Sequence, residues 1–137
     1  MPIELVIVTP FGERFRGAVH SVVLPGTEGD FGVLGQHERF LSALRTGEVE
    51  IRTASGSRHA AIDEGFAEVT GERVTLLAQS CEIADEIDVA RAEMARDRAR
   101  EELGTLGVDE SQARFAEYET SLRRAENRLA VSRRAAR

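Results

Sequence analysis

Lysine is absent from this chain, cysteine occurs once and proline three times, and no uninterrupted apolar run approaches the thickness of a bilayer. The missing run excludes a membrane-spanning helix, which takes roughly 18 or more consecutive apolar residues. A secretory signal is not expected either. The opening MPIELVIVTPFGERF carries acidic Glu4 where such a signal is positively charged, and it lacks a cleavage site of small residues, so a cytoplasmic protein is expected. The lone Cys81 excludes an internal disulfide, and with no Cys or His at metal-ligand spacing it reads as a small buried filler. All 18 cationic side chains are arginine, a bias of composition from which no mechanism follows.

What is present is ordinary for a folded soluble protein: 137 residues, 42% hydrophobic and 31% charged, enough for one domain or two small ones with a modest core. A net charge of −6 argues against nonspecific nucleic-acid binding, which depends on neutralising phosphates, and points to a protein partner. The charge is unevenly spread. Residues 1–86 hold 14 acidic and 7 basic groups, net −7, whereas residues 87–137 hold 10 and 11, net +1. From Ser121 to Arg137 six arginines (123, 124, 128, 133, 134, 137) face the single Glu126, a basic tip suited to an acidic surface.

The grammar of the chain changes near residue 86. Before it, short β-branched and apolar runs at Ile3–Val8, Ala18–Leu24, Phe40–Leu44, Val49–Ile51, His59–Ile62, Phe66–Val69 and Val74–Ala78 alternate with Gly-containing turns, the pattern of a sandwich or flattened barrel. Pro25 is expected to stop the second run. The four glycines between Gly26 and Gly35 predict a presented loop rather than regular structure, with Phe31, Val33 and Leu34 exposed or folded back on the sheet.

After the seam the period becomes helical. Ala92, Ala95, Ala99 and Leu103 form a shallow stripe on a helix beginning near Asp85 or Asp88. Gly104 and Gly107 bracket a turn, Asp109 and Gln112 resemble a capping box, and Phe115, Tyr118, Leu122, Ala125 and Leu129 repeat at spacings of three and four. The fold class is therefore β plus α: a β-sandwich over residues 1–86 and an antiparallel two-helix hairpin over 87–137. Little apolar area is available to hold the hairpin to the sandwich, so it is expected to move.

No catalytic constellation can be assembled. His20, His37, His59, Cys81, Asp30, Asp63 and Asp88 form no recognisable set, and GxSxG, HExxH, GxxxxGKS and dinucleotide patterns are missing. The glycines of GTEGDFG lie among strands and precede no helix. At the seam, Asp88 and Arg91 are explained by an N-terminal cap and a local ion pair, which spacing alone favours. The functional reading places Arg91 and Arg98 on one helical face, with Asp88 and Glu82 as acceptors, where they could hold a triphosphate.

Several segments together resemble one family. LPGTEGDFGVL (Leu24–Leu34), RTGEVEI (Arg45–Ile51), the strand Gly65–Val69, RVTLLAQS (Arg73–Ser80) and ADEIDVARAE (Ala84–Glu93) stand in the order and spacing of the epsilon subunit of the bacterial F-type ATP synthase. The resemblance implies a non-catalytic central-stalk (rotor) subunit that links gamma to the c ring and restrains ATP hydrolysis through its hairpin. It implies that Glu28, Gly29, Asp30 and Phe31, with His37 nearby, meet the c ring or gamma, and that Arg123, Arg124 and Arg128 meet a catalytic subunit, in the alpha/beta assembly, when the hairpin extends. It implies a peripheral position on the cytoplasmic face of the bacterial plasma membrane, and no required cofactor. ATP is a possible regulatory ligand: Ile87, Asp88, Arg91 and Ala92 match the motif (I/L)DxxRA, with Glu82 and Arg98 as further contacts. The run Gly35, Gln36, His37, Glu38, Arg39 departs from the family's usual PGH followed by small or apolar residues. The alternative from a different class is a stand-alone nucleotide-sensing or adaptor module with the same movable hairpin.

Overall fold

A computed structural model describes residues 2–36, 38–107 and 112–135. Ten strands lie among them: β1 (Ile3–Thr9), β2 (Gly12–Val19), β3 (Ser21–Gly26), β4 (Gly29–Leu34), β5 (Phe40–Leu44), β6 (Gly47–Thr53), β7 (Gly56–Ile62), β8 (Gly65–Val69), β9 (Arg73–Ala78) and β10 (Cys81–Ile83). They form one continuous sheet in the order β10-β7-β6-β3-β5-β8-β9-β1-β2, with β4 paired to β3. The sheet folds over at β3, which pairs with β6 through Ser21–Val23 but touches β5 only through Gly26 opposite Leu44. Both halves then face a shared core containing Leu5, Ile7, Val22, Leu24, Ile51, Ile62 and Leu76. Burial of these branched side chains, worth about 1.5–3 kcal/mol each, is the main stabilising term.

The two ends of the sheet are joined by side chains, not by a ladder. Arg14 of β2 donates from Nε to the carbonyl of Cys81 in β10 (3.2 Å), and its Nη2 lies 3.5 Å from Glu86. One strand further in, the Arg58 guanidinium of β7 sits 5.7 Å from the centre of the Phe15 ring of β2. Arginine suits both contacts, since its planar group can stack on a ring and donate in a fork.

Strand β2 was not expected over Gly12–Gly17. Its sequence GERFRG is charged because it is an exposed edge strand: Arg16 pairs with Glu13 (2.7 Å) and Glu4 (3.4 Å), and such charges discourage further strand addition. The run expected at Ala18–Leu24 is broken at His20 into the end of β2 and the start of β3. Pro25 does not stop β3, which continues to Gly26; its carbonyl accepts from the Arg45 amide at 2.9 Å. The presented loop is likewise corrected. Gly26 opposes Gly29 across a tight turn, Gly29 has φ +132°, and β4 runs back along β3. A side chain at Gly26 would meet the Gly29 carbonyl at 2.7 Å, so the glycines here permit regular pairing rather than prevent it.

Cys81 is the buried filler expected, and burial, opposed by Arg14, pushes its thiol up to about 11. A free thiol ionises near 8.5, so between that pH and about 11 the unfolded chain loses a proton that the folded one keeps. This stabilisation is complete below the unfolded value and is lost as pH rises through the folded one, a change of about 3 kcal/mol. Urea unfolding at pH 8 and pH 11 is expected to show that excess loss in the wild type and not in Cys81→Ala; equal losses would refute it.

Candidate functional site

A single 3-10 turn, Ala84–Glu86, links β10 to α1 (Val89–Gly104). Asp88 caps α1: its Oδ1 accepts from the Arg91 amide at 3.1 Å, satisfying one of the donors that a helix leaves open at its start. Ala92 and Ala99 are buried as expected, but Ala95 is exposed: the sheltered face of α1 runs through Ala92, Arg96, Ala99 and Leu103, and Ala95 lies beside it. That helix, α2 (Gln112–Ser132), places Ala125 and Leu129 in the interior. Phe115 stays exposed, at 51%, near the far end of the hairpin. The proposed cap Asp109 lies outside the described residues.

A second face of α2 docks on the sandwich. Arg124, Asn127, Arg128, Val131 and Arg134 recur at spacings of three and four, and each meets a specific group. Arg124 Nε lies 3.5 Å from Asp63. Asn127 donates to the carbonyls of Gly47 (3.0 Å) and Ile62 (3.5 Å), opposite residues at the end of the β6–β7 ladder. Arg128 donates from Nη2 to Glu82 at 3.1 Å, while its Nε sits 2.6 Å from the other carboxylate oxygen without hydrogen-bond alignment, an ion-pair contact only. Val131 packs with Ala61, Ala84 and Ile87 in a small apolar cluster separate from the main core. Arg134 lies 3.5 Å from Glu48, whose other oxygen meets His59 Nδ1 at 3.2 Å.

The sequence-predicted residues are thereby distributed. Glu82 and Arg128, assigned to different ligands, come together. Asp88 is occupied as a cap, and Ile87 and Ala92 are buried in packing. Arg91 and Arg98 line a groove of about 690 Å³ with Met94, Glu102, Glu117 and Tyr118, and Arg98 Nε donates to Glu102 at 3.0 Å. No arginine of α2 lines that groove among the described residues. Arg123 pairs along its own helix with Glu119 (3.3 Å). On the sandwich, Glu28 and Gly29 form the exposed tip of the β3–β4 hairpin, and Asp30 pairs with Arg45. Phe31 is not presented: it folds back edge-to-face on Phe40, with centroids 5.5 Å apart. His37, and Arg137 of the basic tip, lie outside the described residues.

One apolar face was missed. Phe66 and Leu77 are direct partners across β8 and β9 yet remain 53% and 55% exposed, with Leu41 at 70%. Phe66 and Leu77 border a groove of about 620 Å³ that also includes Val8, Pro10 and Leu44. The available signal was alternation: Phe66 precedes inward Ala67, and Leu77 follows inward Leu76, so each apolar pair must place one member outside.

The chain is thus built in two parts, a β-sandwich carrying a docked helical hairpin. Residues 2–84 match the family "ATP synthase, Delta/Epsilon chain, beta-sandwich domain", and residues 85–133 match "ATP synthase, Delta/Epsilon chain, long alpha-helix domain". The chain belongs to the ATP synthase epsilon chain family, whose members are non-catalytic subunits of that complex. It is 43% identical to the ATP synthase epsilon chain of Syntrophobacter fumaroxidans over 130 residues, covering 95% of each chain. It is 37% identical to that of Geotalea uraniireducens over 135 residues, covering 98% of this chain and 96% of the relative. The fold is also found in the Euglena gracilis mitochondrial ATP synthase structure comprising OSCP, F1 and c-ring, with a TM-score of 0.79 at 23% identity, covering 94% of this chain and 80% of that one. No helix among the described residues is long and apolar enough to cross a membrane.

Proposed function

We propose that this chain is the rotor subunit of a proton-translocating F-type ATP synthase, fixed by its sandwich and regulatory through its hairpin. The exposed Leu41, Phe66 and Leu77 face is the attachment surface for gamma, since an apolar strip of this kind on a sheet is costly unless a partner covers it. The acidic tip at Glu28 and the neighbouring Gly29 contact the c ring. The chain is thereby peripheral, on the cytoplasmic face of the plasma membrane.

The observation that carries the regulatory reading is the polar seam under α2. Arg124, Asn127, Arg128 and Arg134 make directional contacts that water or an acidic surface of the alpha/beta assembly can replace, whereas a large apolar interface would hold the hairpin permanently. Docked, the hairpin leaves ATP hydrolysis free; extended, it presents Arg123, Arg124 and Arg128 to the catalytic subunits and restrains hydrolysis. The groove at Arg91 and Arg98 is the place for ATP as a regulatory ligand of the docked state.

The test is co-purification of gamma and c subunits with the full chain carrying Phe66→Asp and Leu77→Asp. Recovery is expected to fall by at least about tenfold relative to wild type, as burying two unpaired carboxylates at an interface costs several kcal/mol. Wild-type recovery from the double variant would overturn the assignment of this face. Failure of the unaltered chain to recover either subunit would overturn the rotor reading itself.

A further inference from the structure

On the opposite side of the hairpin from Arg91 and Arg98 lies an open cleft of about 920 Å³ between the two helices and the sandwich. Six arginines line it: Arg45 from the turn before β6, Arg96 and Arg100 from α1, and Arg123, Arg133 and Arg134 from α2 and the residues just beyond it. Four carboxylates, Asp30, Glu48, Glu119 and Glu126, share the lining, leaving an excess of two positive charges.

Arg45 is held closely by Asp30, but the rest of the internal pairing is loose. Arg100 approaches Glu126 only to 4.0 Å, Arg134 approaches Glu48 to 3.5 Å, and Arg123 meets Glu119 at 3.3 Å along its own helix. Arg133 makes no ion pair with a described residue, and Arg96 is held by Asp97, which is not part of the lining. Exposed pairs of this type are worth about 0–1 kcal/mol, so a multiply charged anion can exchange them for shorter, bidentate guanidinium–phosphate contacts.

We propose that this cleft binds a compact inorganic polyphosphate, of the diphosphate or triphosphate class. Among the described residues no aromatic side chain lines it, its apolar lining is limited to Leu122, Leu129, Ala130 and the methyl and methylene parts of polar side chains, and the guanidiniums that could stack on a base are the groups that hold the phosphates. The phosphate chain is the recognised element. Because Arg45 belongs to the sandwich and the other five arginines to the hairpin segment, a bound anion bridges the two parts. By linkage it stabilises the docked hairpin in proportion to its occupancy.

Calorimetric titration of the full chain with inorganic triphosphate, at low and at physiological salt, tests this. In an Arg91→Ala background, which removes the contribution of the other groove, saturable binding is expected, weakened about tenfold or more by Arg96→Gln with Arg100→Gln, and weakened also by Arg45→Gln. ATP is expected to gain nothing in this cleft over triphosphate: in an Arg91→Ala background, which disables the other groove, its affinity does not exceed that of triphosphate. Circular dichroism confirms that the variants fold. Absence of saturable binding in the Arg91→Ala background, equal competition by sulfate, or retention of binding when Arg96→Gln and Arg100→Gln are added would each overturn the proposal. None of these outcomes bears on attachment to gamma, which is measured on the separate Phe66 and Leu77 face.

Discussion

Gly65→Ala is expected to destabilise the sandwich by about 3–4 kcal/mol and to lower its melting temperature by roughly 10–20 °C. Gly65 opens β8 and lies opposite Ala78 of β9 and Leu44 of β5, at the centre of three strands. A methyl group there would stand 1.9 Å from the Leu77 carbonyl oxygen and 2.9 Å from the Ala78 Cα. Both are backbone atoms held by the ladder, so no rotamer change can relieve the overlap, and the strands must part. Gly32 is the control. An added Cβ there meets nothing within 4 Å, and the residue lies in β4 at the periphery of the sheet, so Gly32→Ala should change stability by less than about 0.5 kcal/mol. Thermal unfolding followed by circular dichroism separates the two. Equal melting temperatures for Gly65→Ala and wild type would mean that β8 and β9 do not approach as closely as described. The strain would also shift Leu77, a member of the exposed apolar face, so gamma attachment should weaken in the same variant.

Gly65 shows why the sandwich was legible in outline and misread in detail. Seven apolar runs correctly located the interiors of most strands, because alternation against a core leaves a strong compositional trace. Glycine leaves an ambiguous one. At Gly56 it serves a turn, with φ +124°, at Gly65 it permits close strand approach, and at Gly26 and Gly29 it closes a hairpin in a segment that was expected to be a loop. The spacing of glycines alone cannot separate these uses. Edge strand β2 was illegible for a different reason: with one face open and charges placed against strand addition, its sequence carries almost no apolar period.

The docking face of α2 was hidden by the same logic. The helix was recognised from Phe115, Tyr118, Leu122, Ala125 and Leu129, the stripe that includes the residues packed toward α1, and a search for apolar spacing ends there. The stripe that meets the sandwich reads Arg, Asn, Arg, Val, Arg, so its only hydrophobic signal is Val131. Its partners are two carbonyls and three carboxylates from distant parts of the chain, Glu48, Asp63 and Glu82. Complementarity of that kind exists only after folding. The basic tip was visible as charge, yet whether those charges point to solvent, to the sheet or to one another was set by helix phase: Arg123 and Arg124 are adjacent and face different groups.

Arg128→Glu is expected to release the hairpin while leaving the sandwich folded. The Arg128 and Glu82 side chains are only 25% and 30% exposed, so reversal places two carboxylates together in a partly desolvated site. After allowance for solvent screening, the lost attraction and new repulsion are worth about 2–3 kcal/mol. The competing term is Val131, whose burial against Ala61, Ala84 and Ile87 contributes about 1.5–3 kcal/mol. Since the two are comparable, the ion pair decides whether docking persists. Hydrogen exchange should show amides at the docked end of the hairpin exchanging about 30–100-fold faster than in wild type, with β1, β6 and β9 unaltered. The reciprocal change Glu82→Arg restores opposite charges, and the double variant should recover most of the protection, since the coupling belongs to the pair. Unchanged exchange in Arg128→Glu would place the grip in the apolar cluster and remove the electrostatic basis for releasing the hairpin to an acidic surface. In the assembled synthase the single variant should also inhibit hydrolysis poorly despite being undocked, because the side chain proposed to meet the catalytic subunit has changed sign. Loss of docking and loss of inhibition together distinguish a residue used in both positions from one that serves only to hold the hairpin down.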